Sequence, residues 1–226
     1  MSNTTLPKIK IIPGLYNVYK PKGWTSFDVV NKMKHISKVK KIGHAGTLDP
    51  MATGVLIVAV GREYTKQIST FMEKTKGYLA EITLGISTDS YDLEGKVQTM
   101  NQVQRIDSKK IHNVLEKYKG DIMQVPPIFS ALKKNGKKLY EYARKNQAVE
   151  IEARPVSIYE LELLQIDQSK YPRLIVKTEV SKGTYIRSLA NDIGNDLGIG
   201  GVLSDLCRFR IGDYNLKDAK KIEQFY

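Results

Sequence analysis

Apolar residues recur along this chain in two rhythms. Tyr78, Ala80, Ile82 and Leu84 alternate with Leu79, Glu81 and Thr83, a period-2 pattern that predicts a strand ending at Gly85. Residues 156–166 and 174–180 read as further strands. Residues 55–60 are apolar at every position, which predicts a strand buried on both faces. Elsewhere the rhythm is helical. Val29, Val30, Met33 and Ile36 predict a helix capped by Thr25 or Ser26. Ile111, Val114, Leu115 and Tyr118 give one apolar face to a helix over 108–118, stopped by Gly120. After an irregular stretch begun by Pro126-Pro127, residues 136–145 read as a short basic helix. A last helix opens at Gly183-Thr184, with Thr184 as N-cap and Ile186, Leu189, Ala190, Ile193 and Leu197 turned inward.

Strands this far apart in sequence must pair to make one sheet, so the pattern predicts a single mixed α/β (α+β) domain over residues 1–226. With 226 residues, 41% of them apolar, a real core can form and wholesale disorder is excluded. The longest uninterrupted apolar run, residues 55–60, is far too short to span a bilayer. Pro7, Lys8, Lys10 and Pro13 break up the first fifteen residues, unlike a secretory signal. A single cysteine, Cys207, excludes an internal disulfide, and His35, His44 and His112 lie too far apart for a local zinc motif. The expectation is a cytoplasmic protein without metal.

Charge adds a partner class. Lys+Arg total 36 against Asp+Glu 24, a formal charge of +12, which is a footprint of nucleic-acid binding. The excess is clustered. Five lysines (32, 34, 38, 40 and 41), two histidines and no acid lie between Val29 and Leu48. Between Ala131 and Lys145, Lys133, Lys134, Lys137, Lys138, Arg144 and Lys145 face one acid, Glu141. Clustering argues for a directed positive surface.

Two segments carry candidate chemistry. Residues 43–56, GHAGTLDPMATGVL, contain three glycines and a proline, so they form a shaped loop delivered into a buried strand. Pro50 biases Asp49 toward an extended backbone, which presents its carboxylate away from any helix surface. Considered alone, an Asp-Pro is more often a turn former than a nucleophile. In residues 181–189, SKGTYIRSL, Arg187 falls in the first turn of a helix, the wrong end of the dipole for a cation. That placement points to a specific anionic partner.

Together these segments resemble the bacterial TruB-type tRNA pseudouridine synthases, which isomerise uridine 55 of the tRNA T-loop. The resemblance runs from about Tyr16 to Asp218. Its motifs are Tyr19-Lys20-Pro21-Lys22-Gly23-Trp24-Thr25-Ser26, the 43–56 loop, Lys76-Gly77-Tyr78 with Leu84-Gly85, and Thr88-Asp89-Ser90-Tyr91-Asp92. It continues through Gln124-Val125-Pro126-Pro127, Ser130-Ala131-Leu132-Lys133, Leu139-Tyr140-Glu141-Tyr142-Ala143-Arg144 and the 181–189 segment.

The resemblance implies a pseudouridine synthase fold, a mixed, largely antiparallel sheet with flanking helices and a basic thumb-like insertion at about 126–150. It makes Asp49 the nucleophile, Arg187 the arginine that pairs with it, and Tyr78 the aromatic that stacks on the flipped base. His44 would enter the RNA at that nucleotide, while Tyr185 and Leu206 would line the pocket. Lys133, Lys134, Lys137 and Lys138 would grip the T-arm, and Lys20 and Pro21 would shape the floor of the site. No cofactor, metal or membrane is implied, and the protein is expected to act as a monomer. Two departures stand out. Cys207-Arg208 replaces the usual paired arginines, and Asp218 is followed by eight residues where most relatives continue into a small RNA-binding domain. Rival readings are a guide-RNA-dependent synthase subunit and a non-catalytic RNA-binding or tRNA-folding protein on the same scaffold.

Overall fold

Thr25 opens the first helix with a reciprocal cap: its hydroxyl accepts from the Asp28 amide, and the Asp28 carboxylate accepts from the Thr25 amide. In the computed structural model, which describes residues 7–226 apart from 104 and 146, the chain divides into two compact units. One comprises the chain up to Tyr78 with residues 206–226, and the other is Leu79–Asp205. The first six residues of the N-terminal stretch considered above lie outside the described residues.

The first unit begins with β1 (Gly14–Lys20), α1 (Ser26–Ser37), β2 (Ile42–Ala45) and β3 (Thr53–Val60), then the short helices α2 (Arg62–Thr65) and α3 (Ile68–Glu73) and the start of β4 (Lys76–Leu84). Strand β3 runs antiparallel to both β1 and β2. Its unbroken apolar run has a direct physical reason. Leu56, Val58 and Val60 pack with Val18, Val29 and Met33 on one face, and Val55 and Ile57 pack with Ala45 and Ile211 on the other. Each fully buried side chain of this kind contributes roughly 1.5–3 kcal/mol.

In the second unit β5 (Ile86–Thr88) and β6 (Val97–Met100) form a hairpin, followed by α4 (Ser108–Lys117) and β7 (Gly120–Gln124). A two-residue pair, β8 (Lys133–Lys134) and β9 (Lys137–Lys138), leads into α5 (Leu139–Arg144). The long β10 (Arg154–Asp167) lies antiparallel between β7 and β11 (Arg173–Val180), with β4 beyond β11, and α6 (Ile186–Asp196) follows. Strand β12 (Gly201–Ile211) returns the chain to the first unit, where Cys207 and Arg208 pair in parallel with Thr53 and Gly54. The chain closes with β13 (Tyr214–Asn215), antiparallel to β12, and β14 (Lys220–Lys221), parallel to β1. The class is mixed α+β and most strand pairs are antiparallel. Among the described residues no helix is long and apolar enough to cross a membrane.

Three expectations change. Residues 136–145 are not one helix. Asn135 and Gly136 both adopt positive φ (51° and 79°), which closes a tight hairpin and delays the helix to Leu139. The last helix is capped at Tyr185 and not at Thr184, whose hydroxyl is spent on the Ser181 carbonyl. Strands β1, β2, β5 to β9 and β12 to β14 and helices α2 and α3 have no counterpart among the elements that the apolar pattern predicts, and the two ends of the expected 43–56 loop belong to β2 and β3.

Candidate active site

The Asp49 loop is held from several sides. Ser26 Oγ accepts from the Leu48 amide at 2.8 Å and donates to the Leu48 carbonyl at 3.2 Å. The Gly23 amide donates to the Pro50 carbonyl at 2.8 Å, and the Ala52 amide donates to Asp49's own carbonyl at 3.0 Å. Lys20 is fully buried, and its Nζ donates to the carbonyls of Pro21, Trp24 and Pro50. A buried ammonium is tolerated there because backbone oxygens replace its water. The backbone is therefore fixed immediately before and after Asp49, whose side chain remains half-buried.

Arg208, 1% exposed, closes the loop from β12. Its Nε donates to the Val55 carbonyl at 2.8 Å and its Nη2 to the Gly46 carbonyl at 2.9 Å, spanning both ends of the loop with one planar fork. The Gly54 backbone lies so close to Arg208 that a Cβ would meet the Arg208 carbonyl oxygen at 2.2 Å, and its φ is +109°. In the sequence Arg208 stands only as the remaining member of a pair.

His44 lies on β2 opposite Val58, with Nδ1 buried and unpartnered among the described residues. Burial, and secondarily the positive Arg208, hold its pKa below the ordinary histidine value, which favours a neutral ring. Tyr78 is buried on β4; its neighbour Gly77 faces the Phe209 ring on the other side of the strand. Leu206 is buried, and its carbonyl accepts from Thr53 Oγ1 at 3.4 Å. Asp49, His44, Tyr78 and Leu206 thus all belong to the first unit.

Arg187 and Tyr185 belong to the second. The cation in the first turn of α6 has its anion: Arg187 Nη1 lies 3.5 Å from Asp92 Oδ2, with both side chains buried. Arg187 also donates to the carbonyls of Ser90 (3.1 Å) and Phe129 (2.9 Å). Asp92 in turn accepts from Ser90 Oγ and the Glu94 amide. Gln124 fixes Tyr185 by accepting from its amide (2.8 Å) and donating to its carbonyl (3.1 Å). The sequence motifs include Asp92 and Gln124, but the pattern alone assigns them no task. A buried carboxylate needs a cation, and that is the available signal.

On the β8–β9 hairpin, Lys133 opposes Lys138 and Lys134 opposes Lys137. Lys133 and Lys137 are exposed. Lys134 donates to the Glu150 carbonyl and sits 3.6 Å from Glu152, and Lys138 lies over the Tyr140 ring at 5.4 Å. Among the described residues no three His, Cys, Asp or Glu side chains gather closely enough to hold a metal ion.

Residues 34–186 match the model of the TruB family pseudouridylate synthase N-terminal domain. The tRNA pseudouridine synthase B of Clostridium tetani is 45% identical over 210 residues, which cover 93% of this chain and 71% of that protein. A protein of the same name from Endomicrobium trichonymphae is 46% identical over 212 residues, covering 94% and 90%. Among solved structures, a Cbf5-Nop10-Gar1 complex contains a chain 29% identical with a TM-score of 0.71. That match covers 93% of this chain and 52% of the other, so this chain spans about half the length of that solved relative. With more than half of its residues inside the family model, and relatives aligned over more than nine-tenths of it, this chain belongs to the TruB family of pseudouridylate synthases.

Proposed function

We propose that this protein converts uridine 55 in the T-loop of tRNA to pseudouridine, as a stand-alone cytoplasmic monomer without a cofactor, and that residues 1–226 form one catalytic domain. Asp49 is the nucleophile on a flipped-out base. Its covalent adduct, at the base or the sugar, keeps the fragments together while the N1–C1′ glycosidic bond breaks, and the bond to Asp49 is broken again before the product leaves. The base turns, C5 bonds to C1′, the proton on C5 is lost and N1 gains one, so the product is an isomer of the substrate. The carrying observation is the Asp49 loop, clamped at Gly46, Leu48, Pro50 and Val55 while the carboxylate stays half-buried. A turn-forming Asp needs no such scaffold; a nucleophile that must meet one carbon does.

In this reading Arg187, held within its own unit by Asp92 and the Ser90 and Phe129 carbonyls, is the arginine that the family resemblance pairs with Asp49, and its charge would keep that carboxylate ionised at neutral pH. Tyr78 stacks on the uracil, which restores part of the stacking lost on flipping, on the order of 1–3 kcal/mol. His44 enters the RNA at the vacated position, Tyr185 contacts the nucleotide, and Leu206 is an apolar wall. Lys133, Lys134, Lys137 and Lys138 grip the T-arm from the 126–150 thumb. A guide-RNA-dependent reading draws on the solved neighbours, two of which are H/ACA particles; identities of 45–46% to tRNA enzymes, against 27–29%, favour the first reading.

The test incubates the purified protein alone with an unmodified T-arm transcript and scores pseudouridine. Wild type should form it, and Asp49→Asn should lose at least about four orders of magnitude in rate with an unchanged melting temperature. No product from wild type without added RNA or protein overturns the stand-alone reading. Full activity in Asp49→Asn overturns the nucleophile.

A further inference from the structure

The basic stretch at residues 32–41 has no part in the site above, and the structure gathers it on one surface of the first unit. Helix α1 buries Val29, Val30 and Met33. Its other side carries Phe27, 64% exposed, and the exposed Asn31, Lys34, His35 and Lys38. At 3.6 residues per turn Phe27, Asn31, Lys34 and His35 fall within an arc of roughly 100° and extend along about 12 Å of helix, and Lys38 follows as the C-cap with φ 57°. Past the helix end, Val39 and Lys40 complete an open cleft of about 450 Å³ with Asn31, Lys34, His35 and Lys38. Among the described residues, none of Lys34, Lys38 and Lys40 has a carboxylate partner.

Helix capping accounts for only part of this charge. The C-terminal end of a helix carries about half a negative charge, which one lysine offsets. Three lysines leave an excess of about two positive charges converging on one cleft. Like charges held together repel unless a polyanion joins them. A small anion would call for an enclosed nest of N–H donors, whereas this cleft is open and continues into a surface ending at an exposed ring. Spaced cations beside an aromatic face match a strand with phosphates and unpaired bases. The position fits as well: the chain from Lys40 to His44 reaches at most about 14 Å.

We infer that the outer face of α1, with the cleft at its C-terminal end, is a second RNA-binding surface. Lys34, Lys38 and Lys40 contact phosphates, and Phe27 stacks on an unpaired base. The inference rests on the proposed RNA substrate and adds a contact separate from the 126–150 thumb.

The test measures binding of the full chain to an unmodified full-length tRNA transcript across a salt series. In Lys34→Ala/Lys38→Ala/Lys40→Ala the slope of log affinity against log salt should fall by about 2 to 3 units, each lost phosphate contact removing slightly less than one. Kd at near-physiological salt should rise roughly tenfold or more. The single-turnover rate at saturating RNA should stay at the wild-type level. Phe27→Ala should weaken binding roughly fivefold or more, and Phe27→Tyr should retain it. A second measurement needs no variant: the tRNA should protect Lys34, Lys38 and Lys40 of the wild type from acetylation. A slope and Kd equal to wild type, or equal acetylation with and without tRNA, overturns the inference. If wild type binds but forms no pseudouridine while the variant's slope still falls, the proposed activity fails and this surface stands. If wild type is fully active and the variant's slope is unchanged, the activity stands and this surface fails.

Discussion

Both the Asp49 loop and the 133–138 hairpin turn through glycines at positive φ, Gly46 and Gly54 in the first and Gly136 in the second. Their surroundings differ. A Cβ at Gly54 would strike the Arg208 backbone, whereas nothing lies within 4 Å of one at Gly136. The loop is tied to Ser26, Lys20 and Arg208, two of them fully buried cations. The hairpin has two residues per strand and sets lysine opposite lysine, an arrangement that is unfavourable without an anion. Chemistry at one carbon needs a backbone that cannot drift. Gripping a phosphate chain needs charge on a segment free to adapt.

Four sets of substitutions probe this contrast. The largest effect is expected from Gly54→Ala, which combines a disfavoured φ with a backbone clash; denaturant unfolding should show a loss of about 3 kcal/mol or more. Gly136→Ala should cost only about 1 kcal/mol, so equal losses would remove the contrast. Next, Arg208→Lys keeps the cation but loses the fork that spans the Gly46 and Val55 carbonyls. Its single-turnover rate should drop about 100-fold with RNA affinity little changed, and an unaltered rate would show that the loop needs no such tie.

On the hairpin the four lysines should not act equally. Replacing Lys133 and Lys137 with Ala should lower the salt slope of tRNA binding by about 1.8 units. Replacing Lys134 and Lys138, already engaged by Glu150, Glu152 and Tyr140, should lower it less. The smallest effect concerns His44. Burial depresses its folded pKa, so the unfolded chain takes up a proton first as pH falls, and stability declines from about pH 6.5 downward. His44→Gln should show a smaller drop in urea midpoint between pH 7.5 and 5.5. An equal drop would assign the decline to other groups.

How much of this is legible in the sequence depends on range. Residues 55–60 announce β3 because burial on both faces leaves its mark locally. Strand β12 stays hidden because Ser204, Asp205, Arg208 and Arg210 break its pattern. Arg208 is buried there only because carbonyls more than 150 residues earlier receive it. The Asn135-Gly136 hairpin has a local signal, masked by the surrounding lysines, which suit a helix equally well. Asp49 is readable as a carboxylate on a shaped loop. Lys20 is legible only as part of the site floor that the resemblance implies; the groups that Lys20, Ser26 and Arg208 clamp are not, since nothing in a sequence says which carbonyl a buried cation will meet. The same holds for Asp92, whose partner Arg187 lies 95 positions away.

The tie between Arg208 and the Asp49 loop also sets a schedule. At 5–20 residues per second, a ribosome needs about 8 to 30 s to add the 153 residues that separate Val55 from Arg208. Throughout that interval the nascent chain carries its acidic loop without the fork that fixes it, and β3 lacks its parallel neighbour. Local helices such as α1 and α4 form within microseconds, so the backbone around Asp49 is completed long after them. The four hairpin lysines are therefore synthesised before the tie that completes the Asp49 loop.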